Sequence, residues 1–428
     1  MELGSIMMLF YVADRTTVFA PSEKIYVRDT FVFILLVLTL VAAGFTLKKT
    51  PRGPSLLSRQ QTEEWKGWMQ VFFLLYHYFK AAEVYNAIRI CIAAYVWMTG
   101  YGNFMYYYKT GDFSIGRFCQ MMWRLNFLVT VVCMSLGNSL MAYYICPMHT
   151  LWTIAVYATL GIGRRYNASA VGIWTKMILV TLIIALGWEM RPVFDIVWAP
   201  FSFMLRYVDP RRPVADDMHE WYFRSGLDRY VWIFGMVCAY LKPTFDKWLS
   251  VMDGIVHQKR RYLTRAAVVA ATLFMTAIWA HTVYLKDKYT YNALHPYTSW
   301  IPIVAIIVLR NLTPLLRTWN MWLYGWLGCI TLETYISQYH VWMLTKVPDG
   351  QPVYLMTLVA GYPLLNFAVT TGVYVFISFR LFSLTVVLRD ELVPHDDDKL
   401  LSRNGITMGL VLGVVVGLGY VSKMMLAA

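Results

Sequence analysis

About twelve apolar runs, joined by short polar connections, fill most of this 428-residue chain and decide what it can fold into. A window of roughly 19 residues, the length that crosses hydrocarbon as a helix, finds them near 31–47, 68–80, 88–101, 125–137, 142–161, 171–187, 230–242, 266–283, 300–312, 320–343, 353–377 and 406–424. Several are short enough to need tilt or flanking aromatics. Hydrophobic residues make up 58% of the chain and charged residues 15%, well under the quarter or so of a soluble domain. The longest polar stretch, Glu189 to Arg229, is itself rich in aromatics, so no separate globule is expected. The pattern predicts an all-α fold, a polytopic integral membrane helical bundle of about 12 transmembrane helices. It divides into residues 1–62, an N-terminal segment with one span and a cytosolic linker, and a multi-span domain over 63–428.

The net charge is +13, and the basic residues cluster between the apolar runs. Lys and Arg collect in cytoplasmic loops. Lys48, Lys49 and Arg52, then Arg164 and Arg165, then Lys259, Arg260, Arg261 and Arg265, and finally Arg380, Arg389 and Arg403 are separated by even numbers of runs. All four clusters can therefore share one side, with both termini on the other. The same excess would attract an anionic cytosolic substrate. Nucleic-acid binding needs a basic face on a soluble module, which is absent from this pattern. The six cysteines, at 91, 119, 133, 146, 238 and 329, lie mostly in apolar runs without a C-x-x-C, and read as buried free thiols. The first 15 residues lack a basic n-region and cleavage site, so the spans themselves are expected to direct insertion. The Glu189–Tyr207 stretch, with two prolines and alternating charge, reads as re-entrant or interfacial.

Three polar constellations interrupt the apolar pattern, and hydrocarbon penalises each such group by kilocalories. In "EEWKGWMQVFFLLYHYF", Lys66, Gln70 and His77 share one helical face, with His77 about 16 Å deeper than Lys66 at 1.5 Å per residue. In "GDFSIGRFCQMMWRLNF", Arg117, Gln120 and Arg124 form a stripe leading to Asn126, and arginine forks suit phosphate. In "LETYISQYHVWML", Glu333, Ser337 and His340 fall on one face beside Gln338. The bland alternatives are a histidine bonded to a neighbouring helix and arginines that snorkel. Two intramembrane histidines with a glutamate and a cationic stripe exceed what packing requires. "HDDDK" from His395 and the His219-Glu220 pair read as polar turns, no metal site is expected, and no serine-nucleophile motif occurs.

These residues carry a resemblance. "EEWKGWMQVFFLLYHYF", "AEVYNAIRICIAAYVWMTGYGNFMYYY", "GDFSIGRFCQMMWRLNFLV", "YYICPMHTLW" and "LETYISQYHVWM" resemble the plant reduced wall acetylation proteins and the membrane half of the sialic-acid and fungal capsule O-acetyltransferases. Tyr76-His77 closing one helix and Tyr335 to His340 closing another are similar, more distantly, to the bacterial integral-membrane acyltransferases. The resemblance implies that 63–428 is an acyltransferase domain and that His77 is catalytic, with His340 and Glu333 beside it. It implies substrate-binding roles for Lys66, Gln70, Tyr76, Arg89, Arg117, Arg124, Asn126, Ser337, Gln338 and Tyr339, and for His149, which lies in a motif of the plant-type branch. The donor implied is acetyl-CoA, without a metal, in the Golgi membrane. The partners implied are membrane lipid and a luminal polysaccharide or glycan acceptor, and no nucleic acid. The animal and fungal relatives carry a luminal esterase-like domain, whereas this chain has only about 30 residues before its first run. A separate esterase-like acetyltransferase is therefore expected to finish the transfer.

Acyl transfer to a hydroxyl requires a base and stabilisation of an oxyanion. The expected arrangement holds CoA phosphates near Arg117, Arg124 and the Lys259–Arg265 cluster, and threads the thioester toward His77. Glu333 would orient a histidine, Ser337 or Gln338 would donate to the oxyanion, and the two Tyr-His pairs would face a common cavity. The competing readings are a transporter of intact acetyl-CoA or another acetyl donor, and a non-catalytic scaffold.

Overall fold

A computed structural model describes residues 1–50, 55–395 and 397–427, so Arg52 and Asp396 lie outside the described residues. The first seven helices are α1 (Glu2–Arg15), α2 (Arg28–Phe45), α3 (Arg59–Phe79), α4 (Tyr85–Thr110), α5 (Ile115–Leu136), α6 (Ile145–Gly161) and α7 (Ala170–Glu189). The Glu189–Tyr207 region then breaks into α8 (Arg191–Trp198) and α9 (Ser202–Leu205), both too short to span, and α10 (His219–Leu227) follows. The second half contains α11 (Val231–Asp253), α12 (Gln258–Trp279), α13 (Lys288–Thr298), α14 (Trp300–Asn311), α15 (Pro314–Thr318), α16 (Trp322–Cys329), α17 (Thr331–Val341), α18 (Pro363–Leu392) and α19 (Asp398–Ala427).

Every apolar run falls wholly or partly on helix, in keeping with the expected helical membrane bundle, while the count of about 12 spans is not confirmed. Among the described residues, five helices are long and apolar enough to cross a membrane: α2, α5, α7, α12 extended to Tyr284, and α18. The α13–α14 pair, bent by 63°, raises the number to six. The reasons are local. The run at 320–343 breaks at Ile330 between α16 and α17, and the run at 353–377 opens on a strand. The helices α3, α4 and α11 carry charged and hydrogen-bonding residues that lower their hydropathy.

The helices sort by what they bury. The outer ones, α2, α7 and α12, leave apolar side chains such as Phe33, Leu36, Ile183, Leu186 and Phe274 exposed, as lipid contact requires. The inner ones, α3, α4 and α17, are packed on several sides and carry the polar residues. Two short antiparallel sheets tie distant segments together. β1 (Ala20–Glu23) pairs with β5 (Tyr354–Thr357), with Ala20 opposite Thr357, and β5 also pairs with β4 (Met343–Leu344). At the other sheet β2 (Leu47–Lys49) pairs with β3 (Trp319–Met321).

Local signals set the ends of the helices that matter. The Ser58 side chain caps α3 by accepting from the Gln61 N–H, and Ser114 caps α5 by accepting from Arg117. Hydrocarbon supplies little drive for helix association, so small residues at crossings bring backbones together. A Cβ on Gly67 of α3 would lie 1.8 Å from the Tyr324 carbonyl oxygen, and one on Gly328 of α16 would lie 2.0 Å from that of Glu63. Gly100 of α4 and Gly235 of α11 meet the Trp232 and Trp97 carbonyls in the same way, at 1.9 and 2.3 Å. These two crossings hold α3 and α4, the walls of the site, against their partners.

Gly67→Ala must push α16 away, and is expected to destabilise the protein by about 1–3 kcal/mol. Thermal unfolding of the detergent-solubilised chain checks it. Gly187→Ala, where nothing lies within 4 Å, is the control and should unfold at or slightly above the wild-type temperature.

Candidate active site

A cavity of about 880 Å³ lies among α3, α4, α5, α6 and α17, within the roughly 300–1,000 Å³ of small-molecule sites. Its polar lining includes Lys66 and Gln70 from α3, Tyr95, Thr99 and Asn103 from α4, Arg117 from α5, and His149 from α6. The two exposed cations Arg59 and Lys109 mark its open end, with Lys242 also in the wall. Lys109 and Cys91 both line it and are 18 residues apart on α4, about 27 Å at 1.5 Å per residue. The cavity therefore runs along the helices from a basic mouth toward the bundle interior. Lys66 pairs with Glu63 at 2.7 Å, and the Arg117 guanidinium lies 4.3 Å from the centre of the Tyr106 ring. Gln70 Nε2 donates to Thr334 Oγ1 at 3.0 Å, which fixes α3 to α17.

Phe73 and Tyr335 also line this cavity, and their ring centres are 6.1 Å apart. The His77 imidazole, one turn beyond Phe73, packs edge-on against that phenyl ring at 4.5 Å. His77 itself lines a second, smaller hollow of about 170 Å³, with Lys24, Tyr76, Lys80, Gln351 and Pro352. Phe73 is therefore the wall between two compartments. Neither nitrogen of His77 bonds to another described residue, so both remain available to a molecule in the hollow.

Lys24 follows β1 directly, and the β1–β5 pairing carries it over α3. Its ammonium donates to the carbonyls of His77 at 2.8 Å and Pro352 at 2.6 Å, and approaches Met343 Sδ at 2.9 Å. Burial, reinforced by the nearby charge of Lys80, brings its pKa down to about 7. Sequence reasoning missed Lys24 because its pairing depends on a strand contact 330 residues away.

Other expected site residues are engaged elsewhere. His340 is fully buried, with Nε2 2.5 Å from Tyr143 Oη and Nδ1 2.9 Å from Asp14 Oδ2. Asp14 also accepts from the Thr345 N–H and from Arg15. His340 lines neither compartment, so the expected common cavity for His77 and His340 is not formed. Glu333 is paired with Arg124, whose Nη2 lies 3.0 Å from Oε2, rather than with a histidine. Gln120 donates to Val393 O, so the Arg117 stripe is divided and only its first member lines the cavity. Ser337 Oγ donates to Glu333 O and Gln338 Nε2 to Tyr335 O, and both side chains are buried outside the cavity lining. Tyr339 packs edge-on against Tyr143 and Tyr335. Asn126 accepts from Thr150. Arg89 pairs with Asp228 at 2.8 Å, and Asp228 lies 3.4 Å from His295. The Lys259–Arg265 cluster lies outside the lining of both compartments, with Arg265 paired to Asp253. All six cysteines are free.

Arg124→Ala takes the cation from Glu333, which has no exposed surface, and leaves its carboxyl only the Thr385 hydroxyl. The expected loss is about 3–5 kcal/mol of stability, with Arg124→Met combined with Glu333→Leu recovering much of it. Thermal unfolding measures both. A stable Arg124→Ala protein that had lost only its activity would instead place the pair in the chemistry.

Comparison with known proteins agrees with this architecture. Residues 1–404 match the family model described as the 10 TM Acyl Transferase domain found in Cas1p. The chain is 32% identical over 433 aligned positions to N-acetylneuraminate (7)9-O-acetyltransferase of Danio rerio, an alignment covering 96% of this chain and 53% of that protein. It thus spans about half the length of that curated relative. No solved structure matches the chain. The helical bundle, its lipid-facing apolar helices and a family match over almost the whole length lead to one identification: the chain belongs to the Cas1p-type 10-TM acyl transferase family.

Proposed function

We propose that the chain is a membrane O-acetyltransferase that takes acetyl from cytosolic acetyl-CoA in the large cavity. It delivers the acetyl past Phe73 to the hollow at His77, for O-acetylation of a luminal polysaccharide or glycan. The observation that carries this reading is the pairing of a basic-mouthed cavity with an unbonded imidazole on the far side of its inner wall. CoA carries several phosphate charges, so crossing hydrocarbon is prohibitive for it, whereas an acetyl group is neutral. Arg59, Lys66, Lys109, Arg117 and Lys242 suit those phosphates at the open end. His77 serves as the base toward the acceptor hydroxyl or as the group that briefly carries acetyl.

The relative named for N-acetylneuraminate O-acetylation supports the reaction class. We further propose, from the family resemblance alone, that the bundle works in the Golgi membrane and that the acceptor is modified through a separate esterase-like acetyltransferase. The test uses the chain in sealed vesicles with the basic mouth outward, acetyl-CoA outside, and the acceptor with the esterase-like acetyltransferase inside. The transferase leaves free CoA outside and sends only acetyl to the luminal acceptor. His77→Ala should lower this turnover by at least about a hundredfold while the protein still folds. Intact CoA found inside the vesicles would identify a carrier instead, and ordinary turnover in the variant would remove His77 from the chemistry.

A further inference from the structure

We infer that His149, not His77, is the first protein group to meet the thioester, and that its Nε2 accepts the acetyl from CoA within the large cavity. The inference rests on the donor-cavity reading and deepens it. His149 is the histidine that lines this compartment among the described residues, whereas His77 lies behind the Phe73 ring. Its Nδ1 is 2.7 Å from Thr99 Oγ1. The Thr99 hydroxyl donates to the Tyr95 carbonyl at 3.3 Å, one turn back on α4. With that proton committed, Thr99 Oγ1 accepts from Nδ1–H, and this tautomer, assigned from the hydrogen bonds, leaves the Nε2 lone pair free. Nε2 has no bonding partner among the described residues. An imidazole oriented through one nitrogen and open at the other is the arrangement of an activated acyl acceptor.

The balance is simple. Nε2 bonds to the acetyl carbonyl carbon, the C–S bond breaks, and CoA leaves with the electron pair. The Thr99 hydroxyl turns from the Tyr95 carbonyl to pass the Nδ1 proton to water in the open cavity, and the thiolate takes a proton from that water, giving free CoA thiol and neutral N-acetylimidazole. When the acetyl moves on to an acceptor O–H or to a second imidazole, the N–C bond breaks and the acceptor's proton returns to His149. No other reactant is needed. Tyr335 lines the same cavity, with its ring edge-on to that of Tyr339 and its hydroxyl buried. Cys91 also lines the cavity, but a thiol must first lose its proton to attack, whereas a neutral imidazole attacks as it stands.

The test mixes the full purified chain with acetyl-labelled acetyl-CoA and no acceptor, and follows free thiol release over the first turnover. Protein quenched early is mapped by mass spectrometry for the labelled residue. CoA binding is measured by calorimetry on wild type and His149→Gln. The expected result is label on His149, and a His149→Gln protein that binds CoA within about threefold of wild type while its first-turnover release falls by at least about a hundredfold. Thr99→Val, which tests positioning, should slow release and alter its pH profile without weakening CoA binding. Release that persists in His149→Gln, label on Cys91, or label on His77 in the His149→Gln protein overturns the inference and leaves the donor reading standing. Failure of the wild-type chain to bind CoA overturns both.

Discussion

Inside a bilayer no solvent is available to satisfy a polar group, so each buried donor, acceptor or charge must find a protein partner or a wet cavity. That constraint sorts this bundle. Glu333 has Arg124, Asp228 has Arg89 and His295, and His340 lies between Tyr143 and Asp14. These groups pair with one another and cross-link helices distant in sequence. His77, and His149 at its Nε2, border open volume without a hydrogen-bond partner among the described residues, and Lys66, paired with Glu63, and Arg117, stacked on Tyr106, border it too. Chemistry is assigned to the remainder of that sorting.

The same constraint explains the shape of the site. The crossings made by Gly67 with Gly328, and by Gly100 with Gly235, bring α3 and α4 close to their outer partners. The inner faces of α3 and α4, with their polar residues, line the cavity. Phe73 and the aromatic cluster around Tyr335 then close that cavity at its inner end. The cations at the mouth suit a charged donor there, and at the inner end Phe73, which lines the cavity, is in ring contact with His77 of the second hollow. The partition, more than any single residue, suits an acyltransferase and not a pore.

Much of this was legible in the sequence. Apolar periodicity identified the all-helical membrane class, and the Lys66–Gln70–His77 face correctly put those residues on a single helix beside open volume. The stripes at 117–124 and 333–340 were legible as anomalies but not as pairs, because the partner of Glu333 lies 209 residues away and that of His340 lies in α1. Hydropathy marks the cost of a polar residue without saying which neighbour offsets it. Hydropathy does not settle the span count for a related reason. A helix buried in protein, such as α3, is selected for polar contacts as well as apolar ones, so length and hydropathy cannot separate it from a broken segment such as α16–α17. Lys24 had no local signal at all, because a strand pairing puts it over His77.

The central claim is that a thioester donor occupies the basic-mouthed cavity and stops at Phe73. Its most direct test is a cryo-EM structure of the chain with a non-transferable acetyl-CoA analogue. The account predicts the phosphates at Arg59, Lys109 and Arg117 and the acyl end between His149 and Phe73. An analogue seated on another surface, or one reaching through the wall into the hollow of Lys24 and Lys80, would contradict it.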